Sequence, residues 1–120
     1  MSNIGLIENF IAAWNRLDIP AIESMMAEDI FYHNIPMEPA YGIEGFRKFI
    51  AVTPPQKAEW FLHAIAETGN KVLTERTDNF IIGDKPVSIP VMGIFEIEDG
   101  KIKQWRDYFD LGQMVSQMEA

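Results

Sequence analysis

Arg76 and Asp78 lie two residues apart in the run Val72-Leu73-Thr74-Glu75-Arg76-Thr77-Asp78-Asn79-Phe80. In an extended strand the side chains alternate, so Val72, Thr74, Arg76, Asp78 and Phe80 fall on one face. A cation and an acid then share a face bounded by hydrophobes, where Arg76 can bridge carboxylates. A second acid has a similar setting. The same alternation groups Trp105, Asp107, Phe109 and Leu111 against Arg106, Tyr108 and Asp110. A carboxylate among apolar neighbours is costly unless it is paired or chemically needed, and the chemistry open to two acids and an arginine is proton transfer. Each piece alone has a plainer meaning. An Arg-x-Asp also reads as a solvated surface pair, and Asp107 as a carboxylate that only accepts hydrogen bonds from Trp105, Tyr108 or an arginine. His33, in Phe31-Tyr32-His33-Asn34-Ile35-Pro36, reads as a packed or loop residue, and it shares no metal-ligand spacing with His63.

The elements that must position these residues follow from periodicity. Ser2 or Asn3 can cap a first helix whose apolar positions Leu6, Ile7, Phe10, Ile11 and Trp14 recur at three-to-four spacing. Asp18 can cap a second, with Pro20 near its start, Ile22, Met25 and Met26 inward, and an end near Glu28. An extended run from Ile30 to Asn34, a loop from Ile35 to Gly42 and a helix from Glu44 to Ala51 come next, closed by Pro54 and Pro55. The pattern then changes to strands. Glu59 to Glu67 sets Trp60, Leu62, Ala64 and Ala66 opposite Phe61, His63 and Ile65. Val72 to Ile82, Val87 to Ile97 and Lys101 to Leu111 follow, separated by hairpin signals at Thr68-Gly69-Asn70, Gly83-Asp84-Lys85 and Glu98-Asp99-Gly100. Helices first and a meander afterwards predict one α+β domain over residues 1–120, with helices on one face of a strongly curved, mainly antiparallel sheet that leaves a pocket.

Composition narrows the function. A chain of 120 residues, 48% apolar, suffices for one core. With 18 acidic against 10 basic residues the net charge is -8, so nucleic acid and anionic membranes are repelled. The absence of cysteine excludes disulfides and thiolate chemistry and fits a reducing compartment, the cytoplasm. Polar residues interrupt the N-terminal apolar stretch, unlike a signal peptide, and no run is long enough to span a bilayer.

Four stretches carry a resemblance: Phe31-Tyr32-His33-Asn34-Ile35-Pro36-Met37, Val72 to Asp78, Pro90-Val91-Met92-Gly93-Ile94-Phe95-Glu96, and Gly100 to Leu111 with its Trp105-Arg106-Asp107-Tyr108-Phe109-Asp110 core. Together they resemble limonene-1,2-epoxide hydrolase and its relatives in the cone-shaped superfamily of nuclear transport factor 2, ketosteroid isomerase and SnoaL-like proteins, from about Ile7 to Leu111. The sequence starts almost directly at its first helix, unlike the family's type member.

The resemblance implies an epoxide hydrolase with no cofactor. Asp107 would be general base on a water held by Tyr32 and Asn34, Asp78 would protonate the epoxide oxygen, and Arg76 would bridge the two acids. Confined together, the carboxylates should share a proton and titrate as a unit. No covalent intermediate is required, and the strand–elbow–helix pattern of α/β-hydrolases is absent. Candidate pocket residues are Met25, Ile35, Met37, Trp60 and Leu62, together with Phe80, Met92, Phe109 and Leu111. Their apolar character suits a small terpene-like or alicyclic epoxide. The resemblance and the strand-face positions of Met92, Arg106 and Tyr108 also imply a homodimer. Two alternatives stay open: an isomerase- or cyclase-like relative, which gives Arg76 no evident job, and a noncatalytic binding module on the same fold.

Overall fold

In the computed structural model, which describes residues 2–119, the Ser2 hydroxyl accepts a hydrogen bond from the Gly5 amide at 2.9 Å and starts helix α1 (Asn3–Asn15). One side of α1 buries Leu6, Ile7, Phe10, Ile11 and Trp14, as the spacing predicts. Asp18 caps α2 (Ile19–Met25) by accepting from the Ala21 amide at 3.1 Å, with Pro20 in its first turn.

The helix stops at Met25, short of the expected Glu28, and β1 (Met26–Asn34) begins at once. Met26 pairs with Ile102 on a distant strand and is itself buried, so long-range pairing takes these residues from the local helical pattern. The expected loop contains the short β2 (Ala40–Tyr41) before α3 (Gly42–Val52). Four long strands follow in meander order: β3 (Pro55–Thr68), β4 (Lys71–Ile82), β5 (Lys85–Glu98) and β6 (Lys101–Tyr108). Asp99 and Gly100 both have positive φ, 53° and 74°, which closes the β5–β6 hairpin with the handedness of the strand twist.

The sheet order is β2-β1-β6-β5-β4-β3, and its one parallel pairing joins β1 to β6. Among the described residues there are four helices and six strands, the α+β arrangement expected. None of these helices is long and apolar enough to cross a membrane.

Two expectations change within the strands. In β3 the pairing shifts between Leu62 and Ala64, so Leu62 faces Arg76 while Ile65 faces Thr74. An extra residue on one strand reverses the alternation beyond it. Ile65 therefore packs on the core and Ala64 and Ala66 are exposed. The last strand ends at Tyr108 and not at Leu111, and the Asp110 carboxylate accepts from the Gln113 amide at 3.1 Å to start α4 (Leu111–Glu119).

The core is aromatic. Phe10 meets Trp105 edge-on at 5.1 Å, and Trp14 stacks on Trp60 at 5.1 Å. Each such ring contributes about 1.5–3 kcal/mol by burial alone. A second cluster, Val87, Ile89 and Val91, lies under Phe109, Met114 and Met118. Between the clusters a cavity remains.

Candidate active site

Strand β5 separates β4 from β6, and at its centre Gly93 is in register with Thr74 on one side and Asp107 on the other. Having no side chain, Gly93 leaves a gap on the inner face, and the Arg76 guanidinium reaches Asp107 there. Nε donates to Asp78 Oδ1 at 3.0 Å and Nη2 to Asp78 Oδ2 at 2.8 Å. The same Nη2 donates to Asp107 Oδ2 at 3.0 Å, and Nη1 to the Thr74 hydroxyl at 3.0 Å. The guanidinium carbon also sits 4.5 Å from the centre of the Trp60 ring, a cation–π contact. The other Asp107 oxygen, Oδ1, accepts from the Trp105 indole at 2.9 Å.

Arg76, Asp78 and Asp107 are 1%, 2% and 4% exposed, so these are buried charges. With both acids ionised the triad would carry a net negative charge out of water, which is expensive. Burial pushes the Asp78 carboxyl up to about 6, against the pull of its hydrogen bonds and charge attraction to Arg76 and with a further push from the Asp107 charge. For Arg76, burial works against the cation, but Asp107 and Asp78 outweigh it and hold it protonated.

The parallel β1–β6 pairing brings in the remaining polar groups. Tyr32 is opposite Trp105, and Asn34 is opposite Asp107. The Tyr32 ring stacks on Trp105 at 4.1 Å, and its oxygen accepts from Asn34 Nδ2 at 2.9 Å. Burial, then the Asp107 charge, raises the Tyr32 phenol above its ordinary value, so it stays neutral.

Tyr32, Asn34, Asp78 and Asp107 line one cavity of about 400 Å³ whose other walls are mostly apolar. Five of the pocket residues expected from sequence line it: Met37, Trp60, Phe80, Phe109 and Leu111. The other four are not in its wall. Met25 and Leu62 pack against the main core, the Ile35 amide donates to the Asp107 carbonyl at 2.9 Å, and Met92 is 51% exposed on the outer sheet face. On a strand, one step in phase decides between cavity and solvent. Further wall residues are Trp14, Phe49, Ile50, Ile89 and Val91, and Met114, Val115 and Met118 from α4. Positions 111, 114, 115 and 118 recur at helical spacing, the signal by which α4 could have been found. His33 contacts the Met37 carbonyl at 2.9 Å and His63 the Thr77 hydroxyl at 2.7 Å, and neither lines the cavity.

A model of the limonene-1,2-epoxide hydrolase catalytic domain matches residues 1–120. The epoxide hydrolase EphG of Mycobacterium tuberculosis is 36% identical over 111 residues, which cover 90% of this chain and 73% of that protein. The solved structure of an M. tuberculosis epoxide hydrolase of the limonene-epoxide-hydrolase-like type superposes with a TM-score of 0.83 and 33% identity, covering 98% of this chain and 89% of that one. A nuclear transport factor 2-like protein of unknown function from Burkholderia pseudomallei superposes over the whole of both chains with a TM-score of 0.87 at 17% identity, a likeness of fold alone.

Proposed function

Because this chain belongs to the limonene-1,2-epoxide hydrolase family, and is thus an epoxide hydrolase, we propose that it hydrates a small hydrophobic epoxide, terpene-like or alicyclic, to a vicinal diol in one step. The observation that supports this most is that one nitrogen, Arg76 Nη2, contacts both Asp78 and Asp107 at the polar end of an apolar cavity. Asp107 takes a proton from a water held by Tyr32 and Asn34. The water oxygen bonds to an epoxide carbon as that carbon's bond to the ring oxygen breaks. Asp78, whose raised pKa keeps a proton available, delivers it to the leaving oxygen. Arg76 stays charged throughout and offsets the negative charge as it moves from one acid to the other. Return of one proton from Asp107 to Asp78 resets the site, and no cofactor enters the balance.

The walls favour carbon over polar substituents, since Phe80, Ile89 and Val91 carry no polar side-chain atom that would repay the desolvation of an acceptor. The protein works as a homodimer in the cytoplasm under this reading. Met92 and Tyr108 are cross-strand neighbours, 51% and 48% exposed, on the outer sheet face that also carries Phe61. The chemistry is tested with limonene oxide, cyclohexene oxide and styrene oxide in ¹⁸O-labelled water, comparing wild type with Asp107→Asn and Asp78→Asn. Label in the diol from the first turnover, with both variants inactive, is the expected result. First-turnover diol carrying oxygen from the protein would replace it with a covalent mechanism.

A further inference from the structure

Trp105 is absorbed by neither the acid–arginine–acid triad nor the water-holding pair, yet it touches both. We propose that Trp105 is a positioning residue, which holds Asp107 in the orientation that removes a proton from water. This rests on the reading of Asp107 as the base.

The geometry starts from an imbalance. Asp78 takes the guanidinium through two parallel hydrogen bonds, at 3.0 and 2.8 Å, whereas Asp107 receives one, on Oδ2. A carboxylate turns readily about its last torsion, and a guanidinium attracts both oxygens of any acid beside it. Left to itself, Asp107 would rotate toward a two-point pair with Arg76 and hide the lone pairs a base needs. The Trp105 indole N–H, 2.9 Å from Oδ1, opposes that rotation. Each Asp107 oxygen then has one fixed donor and keeps free acceptor capacity.

The indole can act as a stop because it cannot move. It is 1% exposed, with Phe10 edge-on at 5.1 Å, Phe95 stacked at 5.8 Å and Tyr32 stacked at 4.1 Å. The contact with Tyr32 matters most. The ring that fixes the base lies flat on the phenol proposed to hold the water, so Trp105 sets the spacing between the two. Position 105 is two residues before Asp107 on β6, so the same inward phase carries both.

The test replaces Trp105 with benzothienylalanine, which keeps the fused ring and puts sulfur in place of the N–H, with Trp105→Phe as a second variant. Expected is a fall in kcat of about 10- to 100-fold, the scale of one lost hydrogen bond to a charged group, with KM within about twofold. Loss of the same bond from the folded state should lower the melting temperature of the benzothienyl protein by about 5–10 °C, and Trp105→Phe, which also leaves a cavity, should lower it further without a matching further loss in kcat. A benzothienyl protein with wild-type kcat would overturn the proposal, as would losses in kcat and melting temperature that track one another across both variants. Wild type that makes no diol from any epoxide would remove the hydrolytic reading itself, and with it the role assigned here.

Discussion

A Cβ on Gly93 would stand 2.3 Å from Arg76 Nη1, so the contact between the arginine and the acid on β6 exists only because position 93 carries a hydrogen. The same atom would lie 2.5 Å from Asp107 Oδ1. Neither neighbour can yield, since Arg76 is tied to Asp78 and Thr74 and Asp107 to Trp105. Gly93→Ala is expected to lower kcat/KM by about 100-fold or more through misplacement of the triad, and to cost about 1–3 kcal/mol of stability by overpacking. Steady-state kinetics beside a urea titration measures both, and wild-type kinetics would mean that the triad can shift without penalty.

Arg76 holds two acids that repel each other. Arg76→Ala leaves both buried without a counter-charge, and the expected loss is about 3–5 kcal/mol at neutral pH, shrinking at acid pH as Asp78 takes up its proton. Arg76→Lys retains the charge but not the planar fork that reaches both acids, so it should fold and lose most of its turnover. Urea midpoints at two pH values and a turnover assay check these outcomes. A lysine variant with wild-type kcat would show that charge alone suffices.

Asp78 links activity and stability to pH. Its folded pKa is about 6 against an ordinary 3.8, so the folded state holds this proton to higher pH than the unfolded chain does. Its contribution is therefore complete below about pH 4 and declines as pH rises to about 6, because the folded protein loses its advantage in proton binding. Relative to Asp78→Asn, wild-type stability should fall across that window. The kcat should decline on the alkaline side of about pH 6 as the acid loses its proton. A stability difference that moves in the opposite direction would mean that Asp78 folds as an anion.

Helix α4 should be the least stable wall of the cavity. It buries no residue fully, and Gln117 ties it to the sheet by accepting from the Ser88 amide at 2.7 Å and donating to the Ser88 carbonyl at 2.9 Å. Gln117→Ala is expected to speed amide exchange in 111–119 while leaving β4 protected, and to change KM for bulky epoxides more than kcat. Hydrogen-exchange mass spectrometry reports the first effect. Uniform exchange in both proteins would show that the apolar contacts of Met114 and Met118 hold α4 without Gln117.

The outer sheet face is the expected homodimer contact. Met92→Asp or Tyr108→Asp should give monomers in sedimentation at concentrations where wild type is dimeric. A monomeric wild type would remove this contact.

Much of the site was legible in the chain because alternation within one strand is a local rule. The inward set Val72, Thr74, Arg76, Asp78 and Phe80 follows from residue spacing alone, as does the phase of Trp105 and Asp107. The end caps Ser2 and Asp18 were equally local, since a side chain that bonds an amide three residues on needs no partner from elsewhere. Tertiary structure decided what depends on distant partners. The shift after Leu62 reversed the face of Ala64, Ile65 and Ala66, and parallel pairing with β6 turned Met26 from helix into strand and brought Asn34 beside Asp107. The empty space at Gly93, through which Arg76 reaches Asp107, exists only when three strands lie side by side. Sequence sets the preferences of each segment through short-range sterics and hydrogen bonding, while register between strands is settled by burial of the whole core, a sum over contacts that no single segment contains.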